Sequence, residues 1–179
     1  PIGDQLAYED GLKTLSGVVT DLLEYDRVSE VAQLVVKSAV EDLGYSSCGL
    51  FEFDPDSVRL QLLDSYGPIP EDLVTGPTLG GDGSNAWEAY RDGEVKIHDG
   101  LVFADGMDGE NGDVGGGDII VPLGDEGVLL LSDRSGGMTD SVGIEIAELF
   151  AAAVESALLR AEKVSSVREK HKELRNERK

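Results

Sequence analysis

Cysteine, histidine and basic residues are scarce in this chain of 179 residues, and each shortage excludes a class of chemistry. The single cysteine, Cys48, excludes an intrachain disulfide. The two histidines, His98 and His171, stand far apart, and no His-x-x-x-His, Cys/His or P-loop pattern accompanies them. Metal-dependent hydrolysis and phosphoryl transfer therefore lack their usual residues. The sequence predicts a segment that is not an enzyme and has no metal signature.

Basic side chains number 15 against 36 acidic ones, which gives a net charge of -21. Residues 1–159 alone carry 7 basic and 32 acidic side chains, net -25, because eight basic residues lie in the last 20. Nucleic-acid binding needs a basic patch, so we expect no nucleic-acid contact by this segment. So acidic a surface repels itself unless salt of about 1 M screens it. We expect a salt-accumulating cytoplasm, and a merely acidic soluble domain is the alternative.

Long apolar runs are also missing. A membrane-spanning helix needs about 20 mostly apolar residues, and the best stretch, Ile144 to Leu159, is interrupted by Glu145, Glu148 and Glu155. We therefore expect no membrane contact. The chain begins Pro1-Ile2-Gly3 without Met or a signal peptide, and no Pro- or Ser-rich linker divides it. We expect one domain from a longer cytoplasmic protein.

The sequence does contain a regular succession of helical and strand patterns. Apolar residues at helical spacing predict two helices before Gly44, separated by a break at Asp26 to Ser29. Alternating apolar residues then predict two strands, Ser47 to Phe53 and Val58 to Tyr66, around an Asp-Pro-Asp turn. A short helix follows and leads into a brief strand, Val95 to His98.

A central β-hairpin is predicted next. Two apolar runs, Ile119 to Leu123 and Val128 to Leu131, are joined by Gly124-Asp125-Glu126-Gly127, a turn rich in residues that tolerate positive φ. Both runs are apolar at consecutive positions, so both faces of this sheet should be covered. The sequence predicts an α/β architecture with a layered core.

The remainder of the chain reads as one helix. From Thr139 onward there is no proline, and the only glycine, Gly143, lies in the first turn. A helix of up to about 40 residues, about 60 Å long, is therefore allowed. We expect its first half, including Leu149 and Phe150, to pack on the sheet or on a partner, and its last turns to project outward.

These segments resemble a GAF domain over roughly residues 28–162. The pattern Ile120-Val-Pro-Leu-Gly124, then Gly127-Val-Leu-Leu130 and the helix Ile146 to Ala157, looks like the C-terminal half of the family. Ser84 to Glu94 followed by Val95-Lys-Ile-His-Asp99 resembles its helix-turn-strand segment. The version it resembles most closely is that of haloarchaeal sensor histidine kinases and bacterio-opsin-activator-type regulators.

The resemblance implies an α/β (α+β) fold with a GAF-like central antiparallel sheet. The N-terminal helices and the long C-terminal helix would cover one face, and a short helix plus loops the other. It divides the chain into an N-terminal helix (1–26), a GAF-like domain (27–160), and a helical linker or coiled-coil extension (161–179) to a following domain.

Family signatures for particular ligands are absent from this sequence. It lacks the several cysteines of GAF-type methionine sulfoxide reductases and the Asn-Lys-Phe-Asp-Glu signature of cyclic-nucleotide domains. Bilin-binding domains need a cysteine near a pocket histidine, and Cys48 lies in an early strand without that context. Nothing indicates haem, so the cofactor is unknown. Cys48 is expected to be a small buried hydrophobe.

The stretch Ala104 to Asp118 is unusual because 6 of its 15 residues are glycine and 5 are acidic. The ordered acid spacing of an EF-hand is missing, so a mobile acidic loop is favoured over a Ca²⁺ site. The family resemblance implies that this loop lies over a ligand pocket as a lid.

A small-molecule pocket is the one candidate binding site. Trp87 and Tyr90 lie three apart on the short helix and share a face, and Phe51 and Phe53 share a face of the first strand. With His98 they would line an apolar cavity that has a few polar groups. The alternatives are that the aromatic residues simply fill the core and that His98 is an ordinary hydrogen-bonded strand residue.

The terminal helix is the candidate output element. A heptad places Val164 and His171 at a, and Val167 and Leu174 at d, which predicts a coiled coil and a homodimer. The flanking e and g positions carry only cations: Lys163, Arg168, Lys170 and Arg175. These would repel their counterparts unless salt screens them, so a solvated helical linker is the alternative.

Together these patterns predict a sensory or regulatory GAF-like domain of a haloarchaeal cytoplasmic signalling protein, a histidine kinase in the first instance. It would bind an unidentified small ligand and signal through its C-terminal helix. The alternatives are a bacterio-opsin-activator-type transcription regulator and a ligand-free dimerisation spacer.

Overall fold

The structure, a computed structural model, describes residues 2–67, 85–99, 117–134 and 141–177. Within these ranges the elements follow in the order α1 (Ile2–Leu22), α2 (Val28–Glu41), β1 (Ser47–Asp54), β2 (Arg59–Tyr66), α3 (Asn85–Asp92), β3 (Lys96–Asp99), β4 (Gly117–Pro122), β5 (Gly127–Asp133) and α4 (Ser141–Glu177). The two N-terminal helices, the first strand pair, the short helix and the central hairpin lie where the sequence patterns predict them.

The strands form one antiparallel sheet in the order β2-β1-β5-β4-β3. The predicted hairpin β4–β5 therefore lies inside the sheet, which agrees with its consecutive apolar residues. Every residue of β5 is buried, as expected for a strand that is covered on both faces.

Helices α2 and α4 pack directly on one side of the sheet, and α1 packs against both of them. We call this side the helical face. Its core contains the inward residues of α2, which recur at helical spacing, together with Leu50, Leu129 and Phe150. α2 ends at Glu41, and Gly44, with φ +88, lies in the turn that leads into β1.

Helix α3 covers part of the opposite side, which we call the α3 face. Ala86 and Ala89 of α3 pack on Phe51, Ile120 and Leu130 of the sheet, and this cluster is smaller than the core on the helical face. The predicted arrangement, with the long helices on one face and the short helix on the other, is confirmed.

The predicted terminal helix is confirmed as one continuous element of 37 residues. Phe150 is fully buried, but Leu149 does not pack on the sheet: its side chain is 41% exposed in the single chain, because it lies about a quarter turn outside the buried stripe. Packing of Leu149 on a partner stays a prediction. Beyond Val164 the residues of α4 are exposed. Within the described ranges, none of the helices is both long and apolar enough to span a bilayer.

The predicted acidic loop needs one correction. Gly117 and Asp118 are not loop residues but the first two residues of β4, and Asp118 is fully buried. The ladder with Ser132 and Asp133 of β5 extends the strand that far. The remainder of the predicted loop and lid, residues 104–116, lies outside the described residues.

Candidate functional site

Three aromatic rings form a cluster on the α3 face. Phe53 stacks on Tyr90 with 4.8 Å between ring centroids, and Trp87 lies 6.2 Å from Phe53 and 5.8 Å from Tyr90. The i, i+3 spacing on α3 brings Trp87 and Tyr90 to the same side of the helix. All three side chains are partly exposed, so the cluster contributes apolar surface as well as packing.

Phe51 lies below this aromatic cluster, two residues from Phe53 on β1. It is 2% exposed and belongs to the packed floor rather than to the partly exposed cluster. The structure therefore brings together the four aromatic residues that the sequence singled out. The three rings fill space against each other, so they do not by themselves enclose a cavity.

A buried polar row crosses the same face nearer the other end of the sheet. Ser132 on β5 lies opposite Ser47 on β1 and Asp118 on β4. Ile120 and Leu130, two positions away on their strands, belong to the cluster on the α3 face, so the polar residues point to that face as well. The row lies about 13 Å from Val128 along β5, at about 3.3 Å per residue.

The contact inside the row is short and buried. The Ser132 hydroxyl donates a hydrogen bond of 2.5 Å to Oδ1 of Asp118, and both residues are at most 1% exposed. A hydrogen bond to a carboxylate at this length is charge-assisted. A buried carboxylate in this setting holds donors and repels anions.

His98 extends the row on β3. Its backbone lies opposite Asp118 in the ladder between β3 and β4. It is separated from the aromatic cluster by most of the sheet's width, because Phe53 lies on β1, three strands away. His98 is thus a neighbour of the polar row by register, and its side chain lies outside the described residues.

The sequence did not identify the polar row as a candidate site. The composition places Asp118 in the acidic loop, Ser47 begins a predicted strand, and Ser132 lies just beyond the predicted run Val128 to Leu131. The available signal was the position of single polar residues at the ends of apolar strands, but pairing register is needed to see that they meet. Among the described residues, no three acidic, histidine or cysteine side chains are arranged to hold a metal ion.

Comparison with known proteins identifies the fold. No family model matches the sequence, and no curated protein matches it either. Solved structures do. The GAF domain of a phosphoenolpyruvate-protein phosphotransferase from Coxiella burnetii aligns with a TM-score of 0.68 at 16% identity, covering 89% of this chain and 98% of that one.

Two further structures represent other uses of the fold. A domain of a putative two-component sensor histidine kinase from Sinorhizobium meliloti aligns with a TM-score of 0.56 at 13% identity, covering 80% of this chain and 99% of that one. Free methionine-R-sulfoxide reductase from Neisseria meningitidis, solved with its substrate, aligns with a TM-score of 0.64 at 17% identity, covering 86% of this chain and 91% of that one. At these identities the likeness establishes the architecture, and this chain has the fold of GAF domains.

Proposed function

We propose that this chain is a sensory or regulatory GAF-like module that binds a small ligand on the α3 face. The observation that carries the proposal is the presence, on one face, of a partly exposed aromatic cluster and a buried carboxylate–hydroxyl pair, with an apolar floor between them. An apolar surface with a few placed polar groups is typical of small-molecule sites. The similarity to a domain of a sensor histidine kinase supports the sensory role.

The chemistry of the two ends limits the ligand. Asp118 accepts hydrogen bonds, so it favours a ligand with N–H or O–H donors or a positive charge over an anion. The rings of Phe53, Trp87 and Tyr90 favour a flat apolar or cationic body. We place the ligand over Ile120 and Leu130, with its polar end near the position where His98 of β3 pairs with Asp118 of β4.

A defined panel of compounds tests this proposal. Amino acids, nucleobases, aromatic amines and aromatic carboxylates are added in about 2 M KCl, and the melting temperature and the fluorescence of Trp87, the only tryptophan, are followed. We expect a donor-bearing compound to raise the melting temperature and change the emission. Asp118→Asn should weaken binding of that compound at least about tenfold, because a charge-assisted hydrogen bond is lost. Leu149→Ala, on the outer side of α4, should leave its binding unchanged. If the panel has no effect on either readout, the ligand-free spacer is favoured.

We propose that the segment itself is not a catalyst. Its one thiol, Cys48, is fully buried, and burial raises the pKa of that thiol, so the nucleophilic thiolate is disfavoured. The reductase neighbour acts on free methionine-R-sulfoxide. We expect this chain, incubated with methionine sulfoxide and dithiothreitol, to release no methionine above the uncatalysed rate. Turnover would contradict the proposal.

For the output we propose a homodimer through the exposed end of α4. Val167 and Leu174 are 52% and 54% exposed, and Val164 is half-buried. Repulsion between the cations at the e and g positions of the two helices is reduced, because Arg168 forms a 2.9 Å ion pair with Asp26 of its own chain. Sedimentation in about 2 M KCl should give a dimer, and Val164→Asp with Val167→Asp should give a folded monomer. A monomeric unmutated chain would favour a simple linker.

For the setting we propose the cytoplasm of a haloarchaeon, with residues 161–179 leading to a kinase or, alternatively, a DNA-binding module. The support is the net charge of -25 on residues 1–159. Screening reduces repulsion as the Debye length falls from about 10 Å to below about 3 Å. The melting temperature should rise steeply between about 0.1 and 2 M KCl, and a flat response would overturn the halophilic assignment.

A further inference from the structure

The β4–β5 turn, residues 123–126, is held from both faces of the sheet. On the α3 face, the Tyr90 hydroxyl donates a 3.0 Å hydrogen bond to the carbonyl of Asp125. The backbone N–H of Phe53 donates a 2.9 Å bond to the carbonyl of Glu126. Two of the three residues of the aromatic cluster therefore bind this turn directly.

Helix α4 meets the same turn from the helical face. Gly124 has φ +59, and a side chain there would collide with the carboxylate of Glu155, so the helix passes the turn in close contact. About two helical turns further on, Glu162 comes close enough to Glu126 for the two carboxyl groups to share a proton, which raises the pKa of Glu162. This contact lies where α4 leaves the domain, just before its exposed end.

We propose that the β4–β5 turn couples the aromatic cluster to α4: the Tyr90 hydroxyl holds the turn on one side, and α4 meets it on the other through Glu155 at Gly124 and Glu162 at Glu126. The direction of signalling rests on the proposed function, since a ligand against Tyr90 would move the turn. The contact chain itself, from Tyr90 through the turn to Glu162, exists without a ligand and is tested without one.

A shared proton favours the contact between the two carboxyl groups. Burial raises the pKa of Glu162 to about 7, and the hydrogen bond to Glu126 and the charges of Glu126 and Glu52 add to the effect. Burial and Glu126 also raise the pKa of Glu52 on β1. With a raised carboxyl pKa the closed contact binds the proton more tightly than the open one, so it is favoured at low pH and is lost as pH rises from about 4.5 to about 7.

The charges around the pair come from every element packed there. Glu52 on β1 acts on Glu162 by its charge, and Asp125 adjoins Glu126 in the turn. On α4, Glu155, Arg160 and Lys163 lie within two turns of Glu162. Arg160 is engaged elsewhere, because its guanidinium donates to the carbonyls of Leu22 and Tyr25. The nearest charges are thus mainly negative, which favours the shared proton.

Trp87 reports on this coupling because it is the only tryptophan and lies in the aromatic cluster. We expect its emission in the full chain to change as pH rises from about 4.5 to about 7 and to become flat over that range in Glu162→Gln. Glu148→Gln, a change of an exposed glutamate on the same helix, should keep the wild-type titration. A flat wild-type curve, or a titration that persists in Glu162→Gln and so belongs to another group, would overturn the proposal.

Removal of the Tyr90 hydroxyl tests the contact between the aromatic cluster and the turn. Tyr90→Phe keeps the ring but deletes the bond to the turn, so backbone amides of the turn and of α4 near Glu162 should exchange about two- to tenfold faster. Tyr66→Phe is the matched control, because that hydroxyl bonds Glu41 instead. If Tyr90→Phe speeds exchange in the turn but leaves α4 unchanged, the coupling is wrong, whatever a ligand screen finds.

Discussion

The two faces of the sheet differ in how much apolar surface they bury. The helical face buries a large apolar core under α2 and α4, and α1 adds a further layer. Among the described residues, the α3 face carries one two-turn helix, partly exposed aromatic rings and a buried carboxylate. Most of the apolar burial among the described residues therefore lies on the helical face, and the proposed ligand site lies on the other.

Truncation of the core on the helical face should have the largest effect. Phe150→Ala leaves a cavity under a fully buried ring and should cost about 3–5 kcal/mol of unfolding free energy. Its neighbour is the control, because Leu149 is 41% exposed and its change to Ala should cost well under half as much. Urea denaturation in about 2 M KCl measures both. Equal losses would mean that Leu149 is buried in solution, for example against a second copy.

Removal of a buried hydroxyl on the α3 face should cost less unfolding free energy than Phe150→Ala, but a measurable amount. Ser132→Ala removes the 2.5 Å bond to Asp118 and leaves a buried carboxylate with one donor fewer, so we expect a loss of about 1.5–3 kcal/mol. The same denaturation experiment measures it. A loss below about 0.5 kcal/mol would show that water replaces the hydroxyl, and that this row is more open than its burial indicates.

The smallest effect is expected for a buried hydroxyl on the helical face. Among the described residues, the Tyr45 hydroxyl is buried without a hydrogen-bond partner, and burial raises its pKa. Removal of an unsatisfied polar group relieves a desolvation cost, so Tyr45→Phe should be neutral or stabilising by up to about 1 kcal/mol. Destabilisation comparable to that of Ser132→Ala would remove the distinction between the faces.

The sequence predicted the elements well because each is marked by local physics. The spacing at which apolar residues recur distinguishes a helix from a strand. The absence of proline after Thr139 allows a single long helix. The aromatic cluster was also predictable, since i, i+3 and i, i+2 spacings decide which side chains share a face of a helix or strand. The side of α4 that Leu149 occupies depends on how the helix is rotated against the sheet, which the sequence does not state.

The polar row and the turn contacts were not predictable for a different reason. Ser47, Ser132 and Asp118 lie on three strands, and Tyr90, Glu126 and Glu162 lie on three elements, so each group meets only through long-range pairing. Composition gave a wrong prediction for Asp118, because the residues before it are rich in glycine and acidic side chains and this composition is typical of a loop. Sites assembled from distant segments become visible once register and packing are known.

The central claim is that a small ligand binds on the α3 face, and one measurement tests it most directly. The full chain is equilibrated in about 2 M KCl with a cell extract restricted to small molecules, separated, denatured, and the released compounds are identified by mass spectrometry. We predict that one compound or a few related compounds are enriched on the unmutated chain and on Leu149→Ala, and are lost on Trp87→Ala and Asp118→Asn. Absence of any enriched compound, or equal enrichment on all four proteins, would contradict the claim.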